Sequence, residues 1–474
     1  MNPTPMANSY LNLPPIFYEY RQAEEFPNPK LILFNKSLAQ ELGFSFDDYS
    51  EEELAKIFSG QKLLKDSKPV ALAYAGFQFG HPVPSLGDGR ALLLGELKGH
   101  DLQLKGSGVT SFSRRGDGRS ALGPVLREYI VSEFMNTIGI PTTRALAAVT
   151  TGENVFRQFG PEPGGIFTRV ASSHLRVGTF QYAYFQNDKA SLEKLLDYTV
   201  QRHYPELSDL SLKEKALQFL ETVSKKQGEL IAQWSAVGFI HGVMNTDNCS
   251  VAGITIDYGP CAFMDEFRFH KVFSSIDERG RYSFFNQVPI IQWNLLRLAD
   301  CLLGFISEDQ DEAVKIVEER LYPILSEFPK LRMKAFAKKL GINDYNDSDE
   351  ELVMKFLSYL EKESLDYTLA FRYLETIHSG ENIFYPHTNE LQEFLKDWKQ
   401  RVPKVPSLEK INPLYIPRNH LIQKAIDLAY QGDFNFTKEL IQVLSDPFTE
   451  RAEFSSFASP PREEEKVTAT FCGT

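Results

Sequence analysis

The spacing of apolar and polar positions changes along the chain and divides it in two. Over the first 185 residues, short alternating or continuous apolar runs are broken by Gly and Pro, the pattern of strands and turns. Within this part, ALLLGE (91–96) and DLQLK (101–105) predict a hairpin. Leu102 and Leu104 face one side and Gln103 and Lys105 the other, so Lys105 sits on a strand, opposite the core. A helix follows, with Pro124 near its first turn, Arg127 and Glu128 early in it and Gly139 near its end. From about Leu192 onward the period is helical. Ser211-Leu-Lys-Glu214 reads as a capping box that opens an apolar series at Leu212, Ala216, Phe219, Val223, Leu230, Trp234 and Val237, ending near Gly238. A loop over 239–248 comes next. Two short β-type runs follow, Cys249-Ser-Val251 and Ile254-Thr-Ile-Asp257, which Ala252-Gly253 joins as a tight turn. Beyond Pro289, helices are predicted at about 290–306, 310–340, 348–376, 388–401 and 418–445, the third opened by Ser348-Asp-Glu-Glu351 as a second capping box. The last 25 residues read as irregular, and there is no internal repeat.

Composition narrows the classes. A chain of 474 residues with 42% hydrophobic content has room for two lobes or domains, each with its own core. A formal charge of -12 argues against a general binder of nucleic acid or anionic membrane. Cys249, Cys261, Cys301 and Cys472 are too few and scattered for a disulfide scaffold and show no zinc spacing, so a reducing cytosol is the expected compartment. The opening MNPTPMANSYLNLPP lacks a basic start followed by an apolar core, so no secretory signal is expected. The most apolar stretch, 289–305, carries Gln292, Asn294, Arg297 and Asp300 and reads as a buried amphipathic helix rather than a membrane span.

Candidate chemistry falls on these elements. Gly87-Asp-Gly-Arg90 and Gly116-Asp-Gly-Arg119 can let backbone approach phosphate oxygens while an adjacent guanidinium supplies a forked donor, although each alone reads equally well as a plain turn. A strand lysine paired with a helix glutamate, here Lys105 and Glu128, is how a kinase-type site anchors nucleotide phosphates; a strand lysine without that context is ordinarily exposed. The most informative constellation is His241-Gly-Val-Met-Asn-Thr-Asp247-Asn248, followed ten residues after Asp247 by Asp257. In such a site the loop Asp orients or deprotonates a hydroxyl, and the Asn and the second Asp offer the hard oxygen ligands that Mg²⁺ or Mn²⁺ prefers. Arg169 and Arg176 are seven residues apart in mixed structure, a spacing that fixes no common face and suits surface arginines.

At these residues the sequence resembles the selenoprotein O family of atypical kinase-fold proteins. The match runs through YAGFQFGHPVPSLGDGRALLLGE, DLQLKGSGVTSFSRRGDGRSALGPVLREYIVSEFMNTIGIPTTRAL, GFIHGVMNTDNCSVAGITIDYGP, GRYSFFNQVPIIQWNLLRLA and NPLYIPRNHLIQKAI. The resemblance implies an α+β, two-lobed protein-kinase-like fold: a β-rich N-lobe over 1–185, a C-lobe over 186–330 and a helical extension over 331–474. It also implies a protein adenylyltransferase in which ATP binds flipped, so that AMP passes to Ser, Thr or Tyr hydroxyls of protein substrates. Residue by residue it makes Lys105 and Glu128 the ion pair, Asp247 the proton acceptor, and Asn248 and Asp257 the metal ligands. It makes Gly87, Gly89, Arg90, Lys105, Asp117, Gly118, Arg169, Arg176 and Asp257 the groups around the nucleotide and its Mg²⁺ or Mn²⁺.

Members of the family often carry a selenocysteine or cysteine near the C-terminus, and Cys472 fits the cysteine form. Some relatives join it by a disulfide to the activation segment. Here that segment reads KVFSSID (271–277), without cysteine, so the bridge is not expected, and Cys261 is a remote alternative. Three other readings stay open at this point: UMP transfer from UTP with Mn²⁺, a conventional kinase moving the γ-phosphoryl group, and an inactive scaffold.

Overall fold

The computed structural model describes residues 5–158 and 160–471. It is a mixed α+β structure, with a sheet-rich N-terminal region and a helical remainder. The strands of the first part are β1 (Tyr18–Tyr20), β2 (Lys30–Phe34), β3 (Val70–Leu72), β4 (Gly76–Gln78), β5 (His81–Val83), β6 (Ala91–Leu97), β7 (His100–Lys105), β8 (Ser120–Ala121), β9 (Arg144–Arg157) and β10 (Gly160–Ala171). They pair in the order β1-β3-β6-β7-β10-β9-β2, with β8 on β10, while β4 and β5 form a small hairpin of their own. The predicted hairpin is β6 and β7, and the register of β7 with β10 sets Arg169 opposite Gln103.

Both faces of β7 are covered. Leu102 and Leu104 belong to a core that also contains Leu38 of α1 (Lys36–Glu41) and Leu54 and Phe58 of α2 (Glu51–Phe58). The face carrying Gln103 and Lys105 meets polar side chains of α3 (Leu122–Thr137) and β10, so Gln103 is fully buried and the Lys105 side chain only 15% exposed. α3 keeps Pro124 in its first turn and ends before Gly139, whose φ of 78° suits a glycine after a helix.

Helices take over earlier than the pattern suggests, with α4 (Val177–Phe185) and α5 (Lys189–His203) before α6 (Leu212–Ala236). The Ser211 hydroxyl accepts from the Glu214 N–H, and α6 stops ahead of Gly238, φ 69°. The hairpin expected over 249–257 does not form. Ser250 bridges Arg176 and Thr255 bridges Thr142, because these residues meet earlier parts of the chain rather than each other. Instead β11 (Phe239–Ile240) pairs with β12 (Ala262–Phe263), holding the two ends of the intervening loop together.

The long C-terminal helices are also cut. The 310–340 segment is α8 (Gln310–Ser326) and α9 (Phe328–Lys339), which Pro329, having no N–H to donate, starts afresh. The 348–376 segment is α10 (Asp349–Lys362), α11 (Tyr367–Arg372) and α12 (Leu374–His378), broken first where Ser364 takes a φ of 54°. Ser348 does not cap α10; its own backbone is helical and Asp349 accepts from the Asn346 N–H instead. α13 (Asn389–Arg401) lies within the predicted 388–401, and the 418–445 segment splits at Gly432 into α14 (Asn419–Tyr430) and α15 (Asn435–Leu444).

The apolar helix α7 (Gln287–Ile306), with the turn before it, is long and apolar enough to cross a membrane by length and composition. In this fold it packs against α4, α6 and α8, with Leu298 and Leu302 fully buried and the Asn294 amide donating to the Met244 carbonyl. The tail, expected to be irregular, is docked at its far end. Thr470 lies along Phe273 and Ser275, and its hydroxyl donates to the Pro260 carbonyl. Cys472 lies outside the described residues.

Candidate active site

Strand register and helix phase bring three elements to one point. Lys105 at the end of β7 extends its Nζ to 2.7 Å from Glu128 Oε2, so the strand lysine and the helix glutamate form an ion pair. Arg169 on β10, beside Gln103 in the register, donates from Nη2 to Gln103 Oε1 at 2.6 Å and from Nη1 to Glu128 Oε1 at 3.1 Å. Cross-strand neighbours stand about 5 Å apart at Cβ, which is why the two side chains meet.

Asp257 receives all three cations. Its Oδ1 accepts from Lys105 Nζ at 2.8 Å and Arg169 Nη1 at 2.6 Å, and its Oδ2 from Arg176 Nη1 at 2.6 Å. Burial alone would raise the Asp257 pKa, but Arg169, Lys105 and Arg176 outweigh it and hold the carboxylate well below the usual range. Its φ of 63° lies in the left-handed region, a conformation these ion pairs keep in place. Arg176, at the N-terminus of α4, also donates to the Asp247 carbonyl at 2.7 Å, and its guanidinium lies over the Tyr74 ring at 4.5 Å. Over the whole lining of the site, seven cationic side chains (Arg90, Lys105, Arg114, Arg119, Arg157, Arg169 and Arg176) face five carboxylates (Asp88, Asp117, Glu128, Asp247 and Asp257), a surplus of two positive charges. Charges so concentrated and partly desolvated suit a polyanion.

The loop between β11 and β12 brings the rest. His241 stacks on Trp234 and its Nε2 lies 2.9 Å from the Ile256 carbonyl, tying the loop to the residue before Asp257. Asn245 Oδ1 accepts from the Phe79 N–H at 3.1 Å and from the Tyr282 hydroxyl, and Thr246 Oγ1 accepts from the Phe77 N–H at 2.7 Å, so β4 and the turn after it clamp the loop. Asp247 is left with Oδ1 buried and unpartnered. Burial lifts its pKa to about 6 against the pull of Arg176, which makes it a stronger proton acceptor than an ordinary aspartate. Asn248 spends its amide N–H on the Val243 carbonyl at 2.9 Å, leaving its amide oxygen as a ligand atom.

These groups line one cavity of about 410 Å³, together with Gly87, Gly89, Arg90, Asp117 and Gly118. Both glycine-rich turns are sterically demanding. Gly87 has a φ of 73° and a Cβ there would lie 2.3 Å from the Phe112 ring; at Gly118, φ 64°, it would lie 2.2 Å from the Gly108 carbonyl carbon. Asp117 is half exposed and paired with Arg157 at 2.7 Å. The glycines, Arg90, Lys105, Asp117, Glu128, Asp247, Asn248 and Asp257 thus line the same cavity, as do the two arginines whose spacing fixed no common face, while His241 stands behind it.

A family model described as Protein adenylyltransferase SelO matches residues 4–445. The chain belongs to the SelO family. Protein nucleotidyltransferase YdiU of Rhodopseudomonas palustris is 47% identical to it with 99% of each chain covered, and that of Rhizobium rhizogenes is 46% identical over 100% of this chain and 97% of its own. This SelO-family chain is therefore an enzyme of the protein nucleotidyltransferase class.

Several residues of the SelO-family cavity escaped the sequence reading. Asp88, at the centre of the first GDGR, accepts from the Leu72 N–H at 3.2 Å and from Gln103 Nε2 at 2.8 Å; burial, opposed by Arg176 and Arg169, raises its pKa to about 6. Its partner Gln103 is not among the residues lining the cavity, and alternation alone already set it on the face of Lys105. Tyr74 and Arg157 carry no motif and are placed by tertiary structure. As for a metal, the described residues hold no group of three or more His, Cys, Asp or Glu suited to one. One carboxylate and one amide oxygen, from Asp257 and Asn248, fit a hard divalent ion that keeps water and phosphate oxygens as its remaining ligands.

Proposed function

We propose that this enzyme transfers AMP from ATP to Ser, Thr or Tyr hydroxyls of proteins, on a two-lobed protein-kinase-like fold and with Mg²⁺ or Mn²⁺. The observation that carries this reading is the convergence of Arg169 and Arg176, in addition to Lys105, on Asp257. A site that positions only the β- and γ-phosphates of a conventionally bound nucleotide needs the lysine and the metal carboxylate. Two further buried guanidiniums supply the charge that a triphosphate entering in the flipped direction requires.

The divalent ion, held by Asn248 and Asp257, would supply charge neutralisation on the phosphate oxygens. The chain's own residues do the rest. Lys105, Arg169 and Arg176 hold the triphosphate, and the glycine turns at 87–90 and 116–119 bring backbone close to it. Asp247 accepts the proton of the acceptor hydroxyl, whose oxygen forms a bond to the α-phosphorus. The bond from that phosphorus to the bridging oxygen of the β-phosphate breaks, and pyrophosphate leaves with the electron pair. In this scheme Glu128 is a positioning residue, because it fixes Lys105 and Arg169 without facing the reacting atoms.

Mass spectrometry of a generic acceptor protein after incubation with ATP and either metal tests the proposal. A mass gain of one adenylyl group on a hydroxyl side chain is expected. A gain of one phosphoryl group would make the chain a conventional kinase, and modification by UTP but not ATP would make UMP the transferred group.

A further inference from the structure

The loop between β7 and β8 carries a feature that nucleotide binding does not use. Arg114 and Arg115 are exposed and adopt left-handed backbone at consecutive positions, φ 46° and 74°, a conformation non-glycine residues take rarely and at a cost. The loop is built to hold them. The Thr110 N–H donates to Ser113 Oγ at 2.8 Å, Ser113 Oγ donates to the Gly89 carbonyl, and the Gly116 N–H donates to the Ser113 carbonyl at 2.7 Å.

Two arginines nearby are neutralised, Arg119 by Glu24 and Glu153 and Arg157 by Asp117, while Arg21 donates to the Val109 carbonyl of the loop. Neither Arg114 nor Arg115 has a carboxylate partner among the described residues. Both guanidiniums are exposed to solvent, on a chain of net charge -12. Arg114 lines the cavity that holds Asp247, and so does Ile276, an apolar side chain 54% exposed on the segment that follows Asp257.

We propose that Arg114 and Arg115, with Ile276, form the acceptor subsite, and that it selects hydroxyl side chains lying in acidic segments of the partner protein. The proposal rests on the nucleotidyl-transfer reading of the cavity, to which it adds a substrate class. Carboxylates flanking the acceptor residue pair with the two guanidiniums, an apolar neighbour covers Ile276, and the hydroxyl is left facing Asp247. Exposed charge pairs of this kind select partners and are screened by salt, so the preference is salt-dependent.

The test uses three fluorescent peptides with the same central serine and with Asp/Glu, Asn/Gln or Lys flanks. Their binding to the full chain is followed by anisotropy without nucleotide, and their modification with ATP and metal. The acidic peptide is expected to bind roughly tenfold better than the neutral one at low salt, as two exposed charge pairs give, and the advantage shrinks as salt rises. An Arg114→Glu/Arg115→Glu variant should reverse the order in favour of the Lys peptide, an Arg114→Lys/Arg115→Lys variant should keep it, and KM for ATP should stay within about twofold in both. Equal binding of the three peptides, or a charge-reversed variant that loses ATP affinity while keeping the acidic preference, would overturn the proposal and return the arginines to the nucleotide. Acidic preference without any transfer would support the subsite and sink the proposed chemistry; transfer without preference would do the opposite.

Discussion

Replacing Gln103 with leucine removes, at nearly constant volume, the amide that joins Asp88 to Arg169. Gln103 is fully buried, donates to Asp88 Oδ2 at 2.8 Å and accepts from Arg169 Nη2 at 2.6 Å, so both partners would lose a charge-assisted bond inside the protein. An orphaned buried group costs about 1–3 kcal/mol. Asp88 keeps the Leu72 N–H and Arg169 keeps Glu128 and Asp257, which places the total toward the lower end, roughly 2–4 kcal/mol. Against a stability on the order of 5–15 kcal/mol the variant stays folded, with a melting temperature several degrees lower. Its activity should suffer more. Arg169 loses the contact that fixes the plane of its guanidinium, and kcat/KM for nucleotidyl transfer should fall by about 10- to 100-fold, equivalent to roughly 1.4–2.8 kcal/mol. Gln103→Glu keeps an acceptor for Arg169 and should retain more activity than the leucine variant. Steady-state kinetics and thermal denaturation of the three proteins decide it. Wild-type kcat/KM in Gln103→Leu, or equal damage from both substitutions, would refute the view that this amide positions Arg169.

Other perturbations have equally definite outcomes. A Cβ at Gly76 would fall 2.4 Å from Asp247 Oδ1 and 2.9 Å from Leu86 Cδ1, so Gly76→Ala should displace the carboxylate and cut kcat by about tenfold or more, at an overpacking cost of about 1–3 kcal/mol; an unchanged kcat would show that Asp247 need not hold that position. Tyr74→Leu removes the ring beneath Arg176, worth about 0.5–2 kcal/mol, and should lower kcat/KM by about 2- to 30-fold while Tyr74→Phe does not; parity of the two variants would dismiss the cation-π contact. Burial, partly offset by Asp101, holds His174 down to about 4 from 6.5, so its neutral form stabilises the fold above about pH 6.5 and that contribution is lost as pH falls toward 4. Urea denaturation at pH 7 and 4.5 should therefore show His174→Asn losing less stability on acidification than the wild type, by up to about 3 kcal/mol, and parallel losses would argue against it.

Much of the site was legible because its groups sit on elements with strong local signals. Alternation put Lys105 on a strand, Pro124 and Gly139 bracketed the helix carrying Glu128, and the HGVMNTDN run with Asp257 stood out by composition. What escaped depends on distant contacts. Ser250 and Thr255 have the composition of a hairpin, yet their partners are Arg176 and Thr142. The aromatic run VGTFQYAYF suits a strand locally and is helix α4, started where the Arg176 N–H donates to Thr179 Oγ1. Arg169 and Arg176 meet only because β10 pairs with β7 and α4 begins beside Asp247, which seven residues of spacing cannot express. The breaks at Pro329, Ser364 and Gly432 show helical period carrying past points where the backbone turns away.

The most direct test of the account supplies the purified protein with an acceptor, Mg²⁺ or Mn²⁺, and ATP labelled at either the α- or the γ-phosphate, beside an Asp257→Ala control. Protein-bound label is expected from the α-position alone and abolished in the variant. Label from the γ-position, or α-label that survives loss of Asp257, would contradict it.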